Sequence, residues 1–305
     1  MNPKYPARFL SILLLGGLAA FRGLAADEAP AMPAPVPPEV AIARPSEQEI
    51  ATAKKSLDEF LAQVDPQTKE ILAKYPGMIE VRPPRVNPCV VPNLWRGFRE
   101  KHERNVARAK QGGIDLLFMG DSITDFWRNE GKPGVVNPGY AGKAVFDKFF
   151  DEKTTANFGI SGDSTQGVLY RLRDGEGQGF SPKAIMLMIG TNNAGNCSPA
   201  EIAEGVGAIV LEMRKDFPDA KILLLGIFPR GEPNDGLRKT VLAVNPIIAR
   251  LDDGKHVFYL DIGSKFLDAD GKIPSDVMSD GLHPTEKGYE IWAEAVKEPL
   301  AELMK

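Results

Sequence analysis

Cysteine and histidine are both scarce in this chain, two of the first and three of the second among 305. Two cysteines, Cys89 and Cys197, cannot make a disulfide scaffold. An oxidising compartment would allow one bridge, but their separation gives no reason to pair them, so free, buried thiols are expected. Only one histidine and one cysteine fall near the candidate cleft at the strand ends, too few for a zinc site. No metal and no other cofactor is expected. Nor is there an excess of basic charge: the net charge is −4, which argues against a nucleic-acid partner and against an anionic membrane surface. An apolar run of about 20 residues, the length a spanning helix needs, is missing. Neither G-x-G-x-x-G nor G-x-x-x-x-G-K-[ST] comes after the first apolar strand, which weighs against a nucleotide- or flavin-binding module.

What the N-terminus does contain is a pair of basic residues, Lys4 and Arg8, ahead of the shorter apolar run FLSILLLGGLAAF at 9–21. Small residues come next at Gly23, Ala25 and Ala26. This order is that of a secretory signal peptide over residues 1–26, with an uncleaved membrane anchor as the alternative. It predicts an exported protein, periplasmic or extracellular, with no stable membrane insertion after cleavage. Residues 27–45 are rich in Pro and Ala and are expected to form an extended linker without a core of its own. Ser46 and Glu49 make a capping-box pattern at the head of a helix carrying Ile50, Leu57, Leu61 and Val64. A second short helix is expected over PQTKEILAKY, after which RPPRVNPCVVPN breaks regular structure. Residues 46–93 are therefore expected as a helical extension resting on a main domain at 94–305.

Within that domain five apolar runs stand out: 114–119, 154–158 (the weakest), 184–189, 221–228 and 256–262. Helical patterns lie between them, clearest at 199–217 and 236–253, and a last one closes the chain. Continuous apolar strands alternating with helices predict a parallel sheet covered on both faces, an α/β doubly wound domain. In such sheets ligands bind beyond the carboxyl ends of the strands. Those ends carry Gly120-Asp121-Ser122, then GISGD at 159–163, GTNN at 190–193, PRGEPND, and at a longer remove SDGLHPT at 279–285.

Of the histidines, His102 lies in the strongly charged FREKHERNVARAK and is expected on a solvated helix face. His256 opens the fifth strand at its amino end. Only His283 falls at the carboxyl rim, with Asp280 three residues before it, close enough to orient its ring. Serine, histidine and aspartate so placed can form an activated nucleophile, its base and the residue that fixes the base. Donors for an oxyanion are available at the Ser122 N–H, at Gly162 and at the Asn192 side chain. Each fragment alone is equally a turn, an Asx turn or a helix cap. Arg230 is either a substrate contact or a loop residue satisfying nearby carbonyls. Cys197, just after GTNN, is expected to pack.

Taken in order, GDSITDFW, NFGISGD, IGTNN and SDGLHP resemble the four sequence blocks of the SGNH, or GDSL-type, hydrolases. GVLYRL, GTNN and LGIFPRGEPND resemble most the branch containing the platelet-activating-factor acetylhydrolase catalytic subunits and their bacterial relatives. The resemblance spans about residues 94–303 and says nothing about 46–93. It implies a flavodoxin-like three-layer α/β/α sandwich and metal-free ester hydrolysis. By the same resemblance Ser122 is the nucleophile, Asp280 and His283 complete the triad, and Ser122, Gly162 and Asn192 form the oxyanion hole. Asn193 stands where many members have aspartate, although the acetylhydrolase branch shows the same Asn-Asn. The expected substrate is a small or polysaccharide-borne ester, with acetyl the preferred acyl group. Lipid esters of the platelet-activating-factor or lysophospholipid kind are the alternative, as is a noncatalytic ligand-binding protein on this scaffold.

Overall fold

The computed structural model describes residues 32–130 and 140–305. The expected signal peptide at 1–26 and the start of the linker lie outside the described residues. The five apolar runs form five parallel strands: β1 Leu116–Gly120, β2 Thr155–Asn157, β3 Ala184–Met188, β4 Lys221–Leu225 and β5 Val257–Leu260, in the order β2-β1-β3-β4-β5. The weakest run forms the shortest strand, at the sheet edge, where it pairs only with β1.

Strand side chains alternate between faces, and here both faces are apolar because both are covered. Leu117, Met119, Ile185, Leu187, Ile222 and Leu224 pack into one core. That core is closed by helices α3 (Arg99–Lys110), α6 (Thr165–Arg171), α7 (Pro199–Asp216) and α8 (Gly236–Ile248), through residues such as Ala109, Val168, Val206 and Val241. Leu116, Phe118, Met186, Met188, Leu223 and Leu225 face the other core, closed by α5 (Lys143–Phe149) and α9 (Glu286–Leu303) with Phe146, Tyr289, Trp292 and Val296. The result is a three-layer α/β/α sandwich. β1 and β3 run in register from Leu116 opposite Ala184 to Gly120 opposite Met188. Their carboxyl ends are therefore level, and the loops that leave them emerge side by side.

Ahead of the sandwich, α1 (Glu47–Gln63) starts at the Ser46–Glu49 capping box and α2 (Pro66–Leu72) at an Asp65 cap. Neither helix buries a residue. The Pro-rich segments on either side of them do the packing instead. Ala34 N–H donates to Val90 O at 2.7 Å, and Ala34, Val40, Cys89 and Val90 all join the first core. Gly207 on α7 makes room, since a Cβ there would lie 2.6 Å from Val40. The fully buried Glu204 of α7 accepts from Ile42 N–H at 2.8 Å, from the Asn87 amide at 2.8 Å and from both Arg44 guanidinium nitrogens at 2.8 and 2.6 Å. The described part of the linker is thus a strap along α7. Its composition forbids a core of its own but not the addition of two small apolar side chains to an existing one.

Candidate active site

The first site element is the junction of β1 with the short helix α4, Ser122–Asp125. Asp121 caps it, accepting from Ile123 N–H at 3.0 Å. Gly120 is obligatory for this turn: a Cβ would lie 2.4 Å from Met188 O and 2.3 Å from Thr124 Oγ1. Ser122, 5% exposed, is held at the first position of α4 with its Oγ 2.9 Å from His283 Nε2. His283 Nδ1 lies 2.7 Å from Asp280 Oδ2. The other oxygen of Asp280 accepts the backbone N–H groups of His283 at 2.8 Å and Leu282 at 3.0 Å. This turn locks the carboxylate beneath its own histidine. With Nδ1–H donating to Asp280, the Nε2 lone pair faces the serine hydroxyl. Burial works to raise the Asp280 carboxyl, but the His283 N–H and ring, Tyr140 and Leu282 N–H together hold it down at about 2.

Tyr140 is a site residue that the motifs do not reveal. Its hydroxyl donates to Asp280 Oδ2 at 2.9 Å, and its ring meets His283 edge-on at 4.8 Å while stacking on Phe126 at 5.2 Å. It is the one described non-glycine residue with positive φ, at 76°. No local pattern marks it, because its partner is 140 residues away.

The segments after β2 and β3 bring Gly162 and Asn192 to the same rim. Gly162 has φ +87°, a conformation that glycine adopts without cost. Among the described residues, neither its N–H nor that of Ser122 is taken by an acceptor. Asn192 Nδ2 donates one hydrogen to Asp163 O at 2.7 Å, which fixes the amide and leaves its second hydrogen available. Asn193 has a different task. It accepts from Thr165 N–H at 3.2 Å and donates to Gln166 Oε1 at 2.8 Å, tying this turn to α6. Arg230 donates to Thr191 O at 3.2 Å and to Thr191 Oγ1 at 3.1 Å, the carbonyl-satisfying role.

Beneath Gly162 runs a buried ionic network. Arg171, wholly buried, donates to Asp163 Oδ2 and Phe158 O, both at 2.9 Å, and to Glu176 Oε2. Burial alone would weaken the guanidinium's hold on its proton; Glu176 and Asp163 more than offset this and keep it charged. His102 continues the chain, its ring nitrogens 2.8 Å from Glu176 Oε1 and 3.0 Å from Asp174 Oδ2. Here the expectation of a solvated His102 is overturned: it is 2% exposed. It shares one face of α3 with Asn105 and Ala109, a stripe of mixed polarity that packs against residues 172–176. A face buried through paired charges has no apolar signature. Burial works to lower the His102 pKa, but its local carboxylates outweigh it and raise the value.

Two further groups complete the surroundings. Burial pushes the Asp121 carboxyl up to about 7, against its bond from Ile123 N–H and with added repulsion from Asp163. Both cysteines are free: Cys89 is buried and Cys197 partly so, packed on the first core. Burial, helped by the neighbouring Cys197 thiol, raises the Cys89 thiol well above its ordinary value. No three His, Cys, Asp or Glu side chains converge as metal ligands among the described residues.

A serine hydroxyl on a carboxylate-oriented imidazole, beside three potential oxyanion donors, is equipped for acyl transfer. The family model described as GDSL-like Lipase/Acylhydrolase family matches residues 118–291. The subunit alpha2 of platelet-activating factor acetylhydrolase IB from Rattus norvegicus is 32% identical over 226 residues, covering 72% of this chain and 93% of the relative. The alpha1 subunit from Bos taurus is 32% identical over 189 residues, 62% of this chain and 75% of that one. Among solved structures, an acylhydrolase-like protein of Bacteroides fragilis aligns with TM-score 0.54 at 16% identity, over 70% of this chain and all (100%) of that chain. A GDSL-like lipase of Bacteroides thetaiotaomicron aligns with TM-score 0.50 at 16% identity, over 67% and 97%. The two structures share the fold, and the family match and the acetylhydrolase relatives carry the assignment: the chain belongs to the GDSL-like lipase/acylhydrolase family and is an ester-hydrolysing serine enzyme.

Proposed function

We propose that the protein is an exported acetylesterase in which Ser122, His283 and Asp280 act as nucleophile, base and orienting acid. The observation that carries this reading is the unbroken chain from Ser122 Oγ to His283 Nε2 at 2.9 Å and from His283 Nδ1 to Asp280 at 2.7 Å. His283 takes the serine proton as Oγ attacks the ester carbonyl. The carbonyl oxygen becomes an oxyanion between the N–H groups of Ser122 and Gly162 and the Asn192 amide, each donor worth roughly 3–4 kcal/mol in such sites. His283 then gives its proton to the leaving alcohol. Water, deprotonated by the same imidazole, releases the acid from the acyl-enzyme.

Acetyl as the preferred acyl group is supported by the name of the relatives, which are acetylhydrolases. A small or carbohydrate-borne alcohol portion is supported by the expected export and by the lack of net basic charge. A series of p-nitrophenyl esters from acetate to dodecanoate tests the acyl preference. Acetate is expected to give the highest kcat/KM, and a maximum at long chains would overturn it. Export is tested by N-terminal sequencing of protein recovered outside the cytoplasm; retention of Met1 there contradicts the signal peptide.

A further inference from the structure

A cavity of about 330 Å³ is bordered by Gly162 and walled by Trp95 and Phe98 from the segment that enters α3. Trp95 is 67% exposed, unusual for so large an apolar side chain, yet its ring packs against its own segment. It lies directly over Gly97, where a Cβ would come within 2.4 Å of the ring, and it meets Phe98 edge-on at 5.0 Å. The strand of chain that carries it is tied to α6 by the bond from Asn93 N–H to Gln166 O at 3.1 Å. Phe98 in turn touches the oxyanion glycine, 3.4 Å from where a Gly162 Cβ would be.

Apart from Gly162 and Asp163, the rest of the lining is polar and uncharged: Asn93, Ser161, Ser164 and Gln166. The Gln166 carbonyl is occupied by Asn193 and Thr165, which leaves its NH2 for a ligand. Asp163 also borders the cavity, but its carboxylate is fully buried and committed to Arg171 and to Ser164 N–H. A quaternary ammonium would therefore find an aromatic ring but no accessible carboxylate, and a phosphate would find no lysine or arginine. An alkyl chain would strand the hydroxyls and amides. An aromatic face bordered by neutral donors and acceptors matches a sugar ring, which has an apolar C–H face and a hydroxyl edge.

We propose that this cavity is a saccharide subsite in which Trp95 stacks on the ring whose neighbour presents its acetyl ester to Ser122. The inference rests on the acetylesterase reading above. Ligand specificity is its consequence: the alcohol portion is an oligosaccharide, and Trp95 with Gln166 selects it.

The test compares O-acetylated cellobiose, p-nitrophenyl acetate and a 1-alkyl-2-acetyl-glycerophosphocholine as substrates of wild-type protein, Trp95→Ala and Trp95→Phe. The ratio of kcat/KM for the sugar ester to that for p-nitrophenyl acetate should fall about tenfold in Trp95→Ala, through KM, and recover in large part in Trp95→Phe. An unchanged ratio, with wild type active on both, overturns the subsite and leaves the acetylesterase reading standing. Hydrolysis of the choline lipid but not of the sugar ester overturns the subsite in favour of a lipid substrate. Failure of the wild type on all three esters removes the acetylesterase reading and the subsite together.

Discussion

The Tyr140 hydroxyl and His283 Nδ1 converge on a single oxygen, Asp280 Oδ2, at 2.9 and 2.7 Å. Tyr140 therefore shares the carboxylate that orients the imidazole while its ring rests against that imidazole at 4.8 Å. Tyr140→Phe removes the hydrogen bond and keeps the ring contact. One hydrogen bond to a charged group contributes about 1.5–3 kcal/mol when buried, and less at this half-exposed position. A drop of about fivefold in kcat/KM is expected for Tyr140→Phe, with a larger drop for Tyr140→Ala. Steady-state kinetics of the two variants on p-nitrophenyl acetate check this; equal losses would show that only the hydroxyl matters, and no loss in Tyr140→Phe that only the ring does.

The Asp280 carboxyl titrates at about 2 in the folded chain, below its ordinary value of 3.8. A group with a depressed folded pKa holds fewer protons folded than unfolded, so it stabilises the fold above the unfolded pKa. That contribution disappears as pH falls from about 4 through about 2. Urea denaturation of wild type and Asp280→Asn between pH 2 and 6 should show a stability gap at pH 6 that closes across this window. A gap independent of pH would contradict the carboxylate's ionised role.

Arg171 is the sole guanidinium donating to both Asp163 and Glu176 among the described residues, and all three are fully buried. Arg171→Met leaves two buried carboxylates without that partner. Breaking a buried ion pair from one side costs about 3–5 kcal/mol. A loss of that size is expected in the unfolding free energy, together with lower activity as the Gly162 segment loses its support. Urea denaturation read out by tryptophan fluorescence measures it, and a change below about 1 kcal/mol would contradict the network's importance.

The strands are legible in the sequence because burial on both faces makes them continuous apolar runs. Ser122, Gly162, Asn192 and His283 are legible because the carboxyl ends of parallel strands are where such a fold places its ligands. In the structure Ser122 Oγ lies 2.9 Å from His283 Nε2, and Asn192 donates at 2.7 Å to the carbonyl of Asp163, the residue after Gly162. Tyr140 and His102 are not legible in that way, and Arg171, although it stands in the GVLYRL stretch, shows nothing there of its buried ion pairs. Each is defined by partners that no local pattern marks, and a histidine buried against carboxylates looks in sequence like one on a solvated face. The strap at 32–45 is hidden for a related reason: proline-rich composition reports how little a segment can bury alone, not what another helix offers it.

Covalent labelling bears most directly on whether Ser122 is the acyl-accepting nucleophile. A fluorophosphonate should modify the protein once, with the adduct mapped by peptide mass spectrometry to Ser122, and should abolish p-nitrophenyl acetate hydrolysis in step with labelling. Ser122→Ala should neither label nor turn over. An adduct on another residue, or activity near wild type in Ser122→Ala, would rule the assignment out.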